Sequence, residues 1–487
     1  MSLAVQLGVV VGYLLVALAV GLAAYRVAES TAADYYLAGR SLGTVVLLFT
    51  TFATLLSAFT FFGGPNLAYA AGPEWILVMG AMDGVLFAVL WYVIGYRQWL
   101  IGRAQGYLTL GELLGDRFDS TGLRALVAGV SLLWLFPYVM LQQMGAGEAI
   151  VGLTGGAVPY WGGAALITAF MIAYVGLAGM RGVAWTDTIQ GLFMLSVVWV
   201  AVVWVLSAVG GLGAATGGMV DARPDFASLG GGTYTPGFIV SSAVTIAFGV
   251  TMFPQINQRF FAADSERVLK RSFALWPVLV LLLFVPAFML GAWAAGLPIE
   301  VPDDANVLPV LLNAYTPTWF AALVIAGAMA AMMSSSDSML LSGSSYLTRD
   351  LYRPLVDPAA SERREAWVAR VGVALFASLA FLASLTRPGT LVEVGDTAFS
   401  GFALLAPPVI LALYWRGATT WGMAAGIAVP QVAYLLLVLV PALPRSYAGW
   451  DYALALMVLA AVLTVAVSAV TAATPTADPR RVGLGAD

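Results

Sequence analysis

The sequence predicts an all-α polytopic membrane protein with thirteen membrane-spanning helices. Of its 487 residues, 61% are hydrophobic and only 10% are charged, whereas a soluble domain normally carries about 25% charged residues. The apolar residues form runs of about 20 or more, the length that crosses a bilayer as a helix. Loops rich in Lys and Arg alternate with loops that have few of them, which supports the same number of spans.

The predicted spans are separated by short loops, so no separate soluble domain is expected. They are residues 3–25, 42–70, 74–100, 122–152, 158–180, 186–209, 236–261, 271–297, 309–346, 366–386, 392–415, 419–442 and 450–473. With the amino terminus outside, 19 of the 22 Lys and Arg residues fall at the inner loops and span ends. Only Arg223, Arg387 and Arg445 fall outside. This bias predicts a plasma-membrane protein whose carboxy-terminal tail, with Arg480 and Arg481, is cytoplasmic.

Composition also excludes several classes of function. The chain has no cysteine and no histidine, which removes disulfides, thiolate chemistry, imidazole metal sites and histidine acid–base catalysis. A net charge of −4 and a single lysine, Lys270, argue against a nucleic-acid partner. No cofactor is predicted, and neither an enzyme's catalytic constellation nor a channel's repeated pore loop is visible.

Two spans carry interruptions that favour a transporter. Span 2 contains the run Gly63-Gly64-Pro65-Asn66, and span 7 contains Pro254, Gln255, Asn257 and Gln258. Irregular backbone at membrane depth survives where it is buried in protein or lines a watery cavity. Because the two spans lie five apart, they occupy corresponding positions of two five-helix halves, spans 2–6 and 7–11, as in transporters with inverted repeats. Two unrelated proline kinks are the alternative. The predicted division of the chain is 1–41, 42–209, 236–415 and 416–487.

Span 9 contains a stripe of hydroxyl groups, in the stretch AGAMAAMMSSSDSMLLSGSS at 326–345. On a helix its small residues fall on one narrow face: Ala331, Ser334, Ser335, Ser338, Ser342 and Ser345. Such a stripe is explained either by close helix packing or by a hard-cation site built from oxygen atoms. The pattern by itself does not choose between them.

Other polar residues lie within the apolar runs. Tyr138, Gln142, Gly145 and Glu148 form a rough stripe in span 4, which fits either a substrate path or interhelical hydrogen bonds. Asp83 lies in the middle of span 3 and must be paired or hydrated. Asp187 opens span 6, where a carboxylate is also favoured by the helix dipole.

Five stretches, in order along the chain, resemble motifs of the sodium/solute symporter family. They are DYYLAGRSLG at 34–43, YLTLGELLGDRF at 107–118, WTDTIQ at 185–190, AAMMSSSDS at 330–338 and YLTRDLY at 346–352. The resemblance implies one peripheral helix, two inverted five-helix repeats and two further helices. It places the first, sixth and eighth core helices in spans 2, 7 and 9.

The resemblance also implies cation sites. Family members bind Na⁺ between core helices one and eight, and the matching positions here are the carbonyls of Ala53, Leu56 and Ala331 with the hydroxyls of Ser334 and Ser335. Some members hold a second cation, and the matching positions are Asp187, Ser334, Asp337 and Ser338. The carboxylate of Asp337 departs from members with a hydroxyl there. It could strengthen this second site, take up a proton or pair with an arginine such as Arg181.

The substrate site implied by the resemblance lies between the broken parts of core helices one and six. Its candidate residues are Ser57, Thr60, Phe61, Asp83, Tyr138, Gln142, Phe248, Gln255 and Phe402. The sequence is thus expected to encode a sodium-coupled symporter that imports a small organic solute, in particular a monocarboxylate or pantothenate-like anion. A proline-type amino-acid or sugar symporter, or a proton-coupled member that uses Asp187 or Asp337, is the alternative.

Overall fold

The computed structural model describes residues 3–25, 32–230 and 232–471. The described chain is mostly helical, and its strands form a short antiparallel hairpin of Ser446–Tyr447 (β1) with Trp450–Asp451 (β2). Within these ranges ten helices are long and apolar enough to cross a membrane, and two bent helix pairs raise the number to twelve. The protein is therefore a polytopic helical membrane protein, as predicted. The predicted cytoplasmic tail with Arg480 and Arg481 lies outside the described residues.

The helices are numbered in chain order. They are α1 Leu3–Tyr25, α2 Thr44–Leu55, α3 Phe59–Ala71, α4 Leu77–Gln105, α5 Leu110–Arg117, α6 Thr121–Thr154, α7 Tyr160–Val209, α8 Leu212–Ala222, α9 Pro236–Met252, α10 Pro254–Ala262, α11 Glu266–Ala294, α12 Val307–Tyr315, α13 Thr318–Leu355, α14 Glu362–Ser384, α15 Leu391–Tyr414, α16 Thr420–Leu439 and α17 Tyr452–Val470. Short helical turns lie at Ala32–Leu37, Ala38–Arg40 and Pro224–Ala227. Wider π-helical turns lie at Phe59–Gly63, Leu77–Met82, Trp91–Gly95 and Tyr346–Tyr352.

The predicted count of thirteen spans differs from this structure at one place. The predicted spans 158–180 and 186–209 both fall within α7, which runs as one helix from Tyr160 to Val209. Its part Met180–Val209 is long and apolar enough to cross a membrane, whereas Tyr160–Val175 is a shorter apolar helix. The thirteenth span, the repeat layout and the segment boundaries at 41, 209 and 415 therefore stay predictions.

Span 2 is broken, but not at the glycine–proline run. Helices α2 and α3 meet at a bend of 62°, and the chain leaves the helix at Leu56, where ψ is 96°. The run Gly63-Gly64-Pro65-Asn66 instead lies inside α3 and begins at the last residue of its π-helical turn. Proline is tolerated there because it stands in the first turn of the regular α-helical part, where its missing N–H costs little. The predicted position of this break was wrong by about two helical turns.

Span 7 is broken where the sequence predicts. Helices α9 and α10 meet at a bend of 57°, and Phe253 takes an extended ψ of 131° between them. Pro254 occupies the first position of α10, where its fixed φ suits a helix start. The side-chain amide of Asn257 donates to the carbonyls of Thr251 (3.2 Å) in α9 and of Phe253 (2.7 Å), and so joins α10 to the end of α9 across the break.

Helix α13 lies at the centre of the fold. It packs against α1, α6 and α7 and against the half-helices α2 and α10, and its best membrane-length window is 83% buried. Small side chains let neighbouring backbones approach closely, which accounts for the run of alanines and serines. Both broken spans thus contact the serine-rich helix.

Close packing beside the second break predicts a strong effect of one added methyl group. A Cβ at Gly249 would lie 2.2 Å from the backbone oxygen of Phe399, and backbone cannot rotate away as a side chain can. We expect Gly249→Ala to lower the free energy of unfolding by about 1–3 kcal/mol, as overpacking does. The matched control is Gly129→Ala in α6, where nothing lies within 4 Å of the new Cβ. Equal melting temperatures for the two purified variants would contradict this account.

Candidate functional site

The first site candidate lies where α13 meets the break between α2 and α3. The hydroxyl of Ser335 lies 2.8 Å from the carbonyl oxygen of Thr54 and 2.9 Å from that of Leu56, and donates to them. These carbonyls are available because the helix ends there and leaves its last carbonyls without intrahelical partners. Three neutral oxygen atoms therefore meet in a buried position, on residues from two distant parts of the chain.

The structure places the other predicted ligands of this site differently. The carbonyl of Ala53 accepts a hydrogen bond from the Leu56 amide at 3.2 Å, and Ala331 is buried about one helical turn before Ser335. Ser334 turns to another partner, because its hydroxyl donates to the carboxylate of Asp187. The structure thus joins Leu56 and Ser335 directly.

A second polar cluster surrounds Asp187. Its Oδ2 accepts hydrogen bonds from Thr50 Oγ1 at 2.6 Å and from Arg259 Nη2 at 3.0 Å. The same Arg259 nitrogen lies 3.0 Å from Thr50 Oγ1 and 2.7 Å from Ser338 Oγ. Both charged side chains are only 1% exposed. The predicted second cation site therefore contains Asp187, Ser334 and Ser338 together, with a guanidinium among them.

The fourth predicted residue of that site, Asp337, makes none of the hydrogen bonds described for this cluster. Its side chain is buried, and its Oδ1 has no hydrogen-bond partner among the residues that the structure describes. Around the helix, Asp337 lies about 60° from Ser334, about 100° from Ser338 and about 160° from Ser335. Nothing in the described contacts joins it to the guanidinium.

Part of the predicted substrate site is held together by hydrogen bonds. The hydroxyls of Ser57 and Tyr138 lie 2.9 Å apart. One helical turn after Tyr138, Gln142 accepts a hydrogen bond from the Ala58 amide at 2.9 Å. Gln142 in turn donates to the carbonyl of Tyr138 at 3.0 Å. The side chains of α6 thereby support the break in span 2.

Aromatic rings connect this group to the break in span 7. Phe253, the residue between α9 and α10, has its ring centroid 5.0 Å from that of Tyr138 and 4.7 Å from that of Phe402. Phe399, on the same helix as Phe402, stacks on Phe253 at 5.6 Å and lies 5.2 Å from Tyr138. The region between the two breaks is thus lined by aromatic rings, hydroxyls and an amide.

The remaining substrate candidates make no such contacts with this group. Thr60 donates to the carbonyl of Leu55 at 3.3 Å within its own span, Phe61 is buried and Phe248 is half-buried. Asp83 and Gln255 are fully buried, and their side-chain polar atoms have no hydrogen-bond partner in the described part of the chain. Gln255 stands one residue after Pro254 and is the candidate whose unused amide is nearest the second break.

The sequence prediction missed several residues of the two polar clusters and of the aromatic group. They are Thr50 and Thr54 on α2, Phe253 and Phe399 in the aromatic group, and Arg259. One signal was available for Arg259, since it falls within the predicted span 236–261 and an ionisable residue inside a span is a functional candidate by default. The phenylalanines carry no comparable signal in a chain this apolar.

The chemistry of the two clusters is different. The first contains only neutral oxygens, which suit a hard monovalent cation that must be released again. The second balances one carboxylate against one guanidinium. Within the described ranges no group of three or more Asp or Glu side chains converges to hold a multivalent metal ion.

Comparison with known proteins gives a consistent result. The family model described as "Sodium:solute symporter family" matches residues 35–429. The sodium/pantothenate symporter of Escherichia coli (strain K12) is 29% identical over 413 residues, which are 83% of this chain and 84% of the relative. The sodium/proline symporter of Haemophilus influenzae is 30% identical over 458 residues, 86% of this chain and 85% of the relative.

The fold is also found in a solved structure. A substrate-bound, outward-open Na⁺-coupled sialic acid symporter superposes with a TM-score of 0.79 and 21% sequence identity, over 96% of this chain and 98% of the other. At that identity the likeness establishes the fold alone. With the family match extending over most of the sequence, the chain belongs to the sodium:solute symporter family.

Proposed function

We propose that this protein is a Na⁺-coupled symporter that imports a small organic solute by alternating access. One observation carries the proposal: Ser335 on α13 bonds to the two carbonyls, of Thr54 and Leu56, that the break in span 2 sets free. In the proposed mechanism Na⁺ binds at Ala53, Leu56, Ala331, Ser334 and Ser335, and replaces these hydrogen bonds by ion–oxygen contacts. It thereby fixes the broken span against α13.

Sodium binding in this scheme favours solute binding because both ligands act on the same break. Ser57 follows Leu56 directly, and its hydroxyl contacts Tyr138. An ion that orders Leu56 therefore orders Ser57 and the adjoining aromatic group as well. A ligand shifts a conformational equilibrium only through its different affinity for the two states. The proposed outward-open state is the one in which both groups are assembled.

For the solute, we propose a monocarboxylate or pantothenate-like anion. The aromatic rings suit an apolar body, and the unused amide of Gln255 suits a hydroxyl or amide group of the solute. None of the described residues that contact one another in this group is cationic, so a carboxylate would bind at the start of α3, where the Ala58 amide now donates to Gln142. Helix N-termini favour anions.

The second candidate is a proline-type zwitterion. It is favoured by the 30% identity to the sodium/proline symporter of Haemophilus influenzae and by the absence of a lysine or arginine among the described contacts of the aromatic group. The proposed orientation, with the amino terminus outside, applies to both candidates.

The test is solute uptake into proteoliposomes with an imposed sodium gradient. A thermal-shift screen of pantothenate, monocarboxylates, proline and sugars, with and without Na⁺, first selects the solute, because a ligand of the folded state raises the melting temperature. We expect accumulation that requires inward-directed Na⁺ and that also shows counter-flow exchange. Accumulation that ignores sodium, or that follows an imposed proton gradient instead, would refute the proposed coupling.

A further inference from the structure

The cluster around Asp187 already contains a cation. Nη2 of Arg259 is surrounded by three oxygen atoms, those of Asp187, Thr50 and Ser338, at 2.7–3.0 Å. These three residues come from three different helices, α7, α2 and α13. Such a set of converging oxygens is the arrangement that a bound metal cation would need, and here a protein nitrogen lies at its centre.

Charge balance supports the same assignment. Asp187 and Arg259 are both 1% exposed, and together they carry no net charge. Placing Na⁺ against Asp187 while Arg259 stays would put two cations among the same three oxygen atoms, where like charges at contact distance repel strongly. A sodium ion could enter only if the guanidinium left, and that nitrogen would then lose all three oxygen partners.

Arg259 is also fixed within its own half-helix. Its Nη1 donates to the carbonyl of Gln255 at 3.0 Å, and both residues belong to α10, directly after the break in span 7. The guanidinium therefore connects this half-helix to α2, α7 and α13 at one point. A cation that is part of α10 moves with α10, whereas a free ion would exchange with solution.

We propose that the guanidinium of Arg259 is the resident cation of the second site, so that each transport cycle couples the solute to one Na⁺, bound at the first site. This inference rests on the proposed function, because it concerns the number of ions that the symporter uses. Ser334 is then assigned to both clusters: its hydroxyl donates to Asp187, and it turns to the ion when Na⁺ binds beside Ser335.

Asp337 is the other carboxyl group that has to be considered. It is buried, and its Oδ1 has no hydrogen-bond partner within the described residues. A buried carboxyl with an oxygen that lacks a hydrogen-bond partner is accommodated far more easily with its proton than without it. We therefore assign no sodium ion to Asp337, and Asp337→Asn is expected to leave the number of bound sodium ions unchanged.

The test counts sodium ions directly, with radioactive Na⁺ as the probe. Purified full-length protein is titrated with ²²Na⁺ to saturation. We expect one ion for the natural chain and one for Arg259→Lys, which keeps the positive charge. We expect two for Arg259→Gln, in which Asp187 regains an empty oxygen cluster, and one for Asp187→Asn combined with Arg259→Gln.

A transport measurement provides the second readout and covers the case in which Arg259→Gln does not fold. With a tenfold sodium gradient and the membrane potential clamped at zero, one-ion coupling limits accumulation to about tenfold and two-ion coupling to about a hundredfold. Two ions bound, or accumulation well above tenfold, in the natural chain would overturn this inference and leave sodium coupling intact. A single ion in folded Arg259→Gln would overturn it as well. No bound sodium and no sodium-driven uptake would instead refute the proposed function.

Discussion

Replacing Ser335 with alanine is expected to raise the sodium concentration for half-maximal uptake by about tenfold or more. The change removes the side-chain oxygen that links the carbonyls of Thr54 and Leu56 to α13. An interaction with a charged group is worth about 1.5–3 kcal/mol, and each 1.4 kcal/mol is about a factor of ten in affinity. The measurement is initial uptake at a fixed solute concentration over a series of sodium concentrations.

The neighbouring residue supplies a matched control. Ser336 is equally buried on the same helix, but its hydroxyl donates only within α13, to the carbonyl of Met332 at 2.6 Å. Ser336→Ala removes the same atom and is expected to leave the sodium dependence close to that of the natural chain. If both variants shift the sodium dependence equally, or if Ser335→Ala shifts nothing, the first site is not where we place it.

The two breaks show which parts of the fold are readable from sequence. Pro254 fixes the start of α10 by its own backbone chemistry, and the predicted interruption, which begins at Pro254, adjoins the observed break at Phe253. The break at Leu56 has no such local cause. It is maintained by Ser335 on α13 and Gln142 on α6, which satisfy the freed carbonyls and the Ala58 amide from far along the chain. Local reasoning therefore chose the nearby glycine–proline run instead.

The serine stripe illustrates the same limit within the site. Helix periodicity placed Ser335 and Ser338 on one face, and in the structure both contact α2. Ser342, by contrast, donates back to the carbonyl of Met339 at 3.0 Å. Ser345 donates to the carbonyl of Ser342 at 2.7 Å and accepts a hydrogen bond from the Gln258 amide of α10 at 3.0 Å. A periodic pattern specifies a face but not the partners across it, so the separation into two clusters and the position of Arg259 required the structure.

The arrangement also suggests how the two clusters influence each other. Ser334 and Ser335 are adjacent on α13 and point about 100° apart, one to Asp187 and the other to the break at Leu56. On α2, Thr50 contacts Arg259 and Thr54 lies 3.0 Å from Ser338 through their hydroxyls. A sodium ion at the first site therefore acts on the same two helices that the Asp187–Arg259 pair joins to α10. The two clusters can therefore influence each other directly through α2 and α13.

Breaking that buried pair is expected to have the largest effect on stability. In sodium-free choline buffer, we expect Arg259→Gln or Asp187→Asn alone to lower the free energy of unfolding by about 3–5 kcal/mol, since each leaves an unpaired buried charge. The double variant is expected to recover most of this loss, because no charge is then left unpaired. Melting temperatures of the purified proteins rank the stability of the natural chain, the two single variants and the double variant.

An exposed ion pair provides the control that distinguishes the loss of a buried charge pair from the mere loss of an arginine. Arg364 lies 3.5 Å from Asp357 and is 64% exposed, so Arg364→Gln should change the melting temperature little. Adding Na⁺ should then raise the melting temperature of Arg259→Gln more than that of the natural chain, because the ion replaces the missing guanidinium beside Asp187. If the single variants are as stable as the double variant, the attraction between the charges of Asp187 and Arg259 does not stabilise the fold. In that case α10 is joined to α2, α7 and α13 by packing alone.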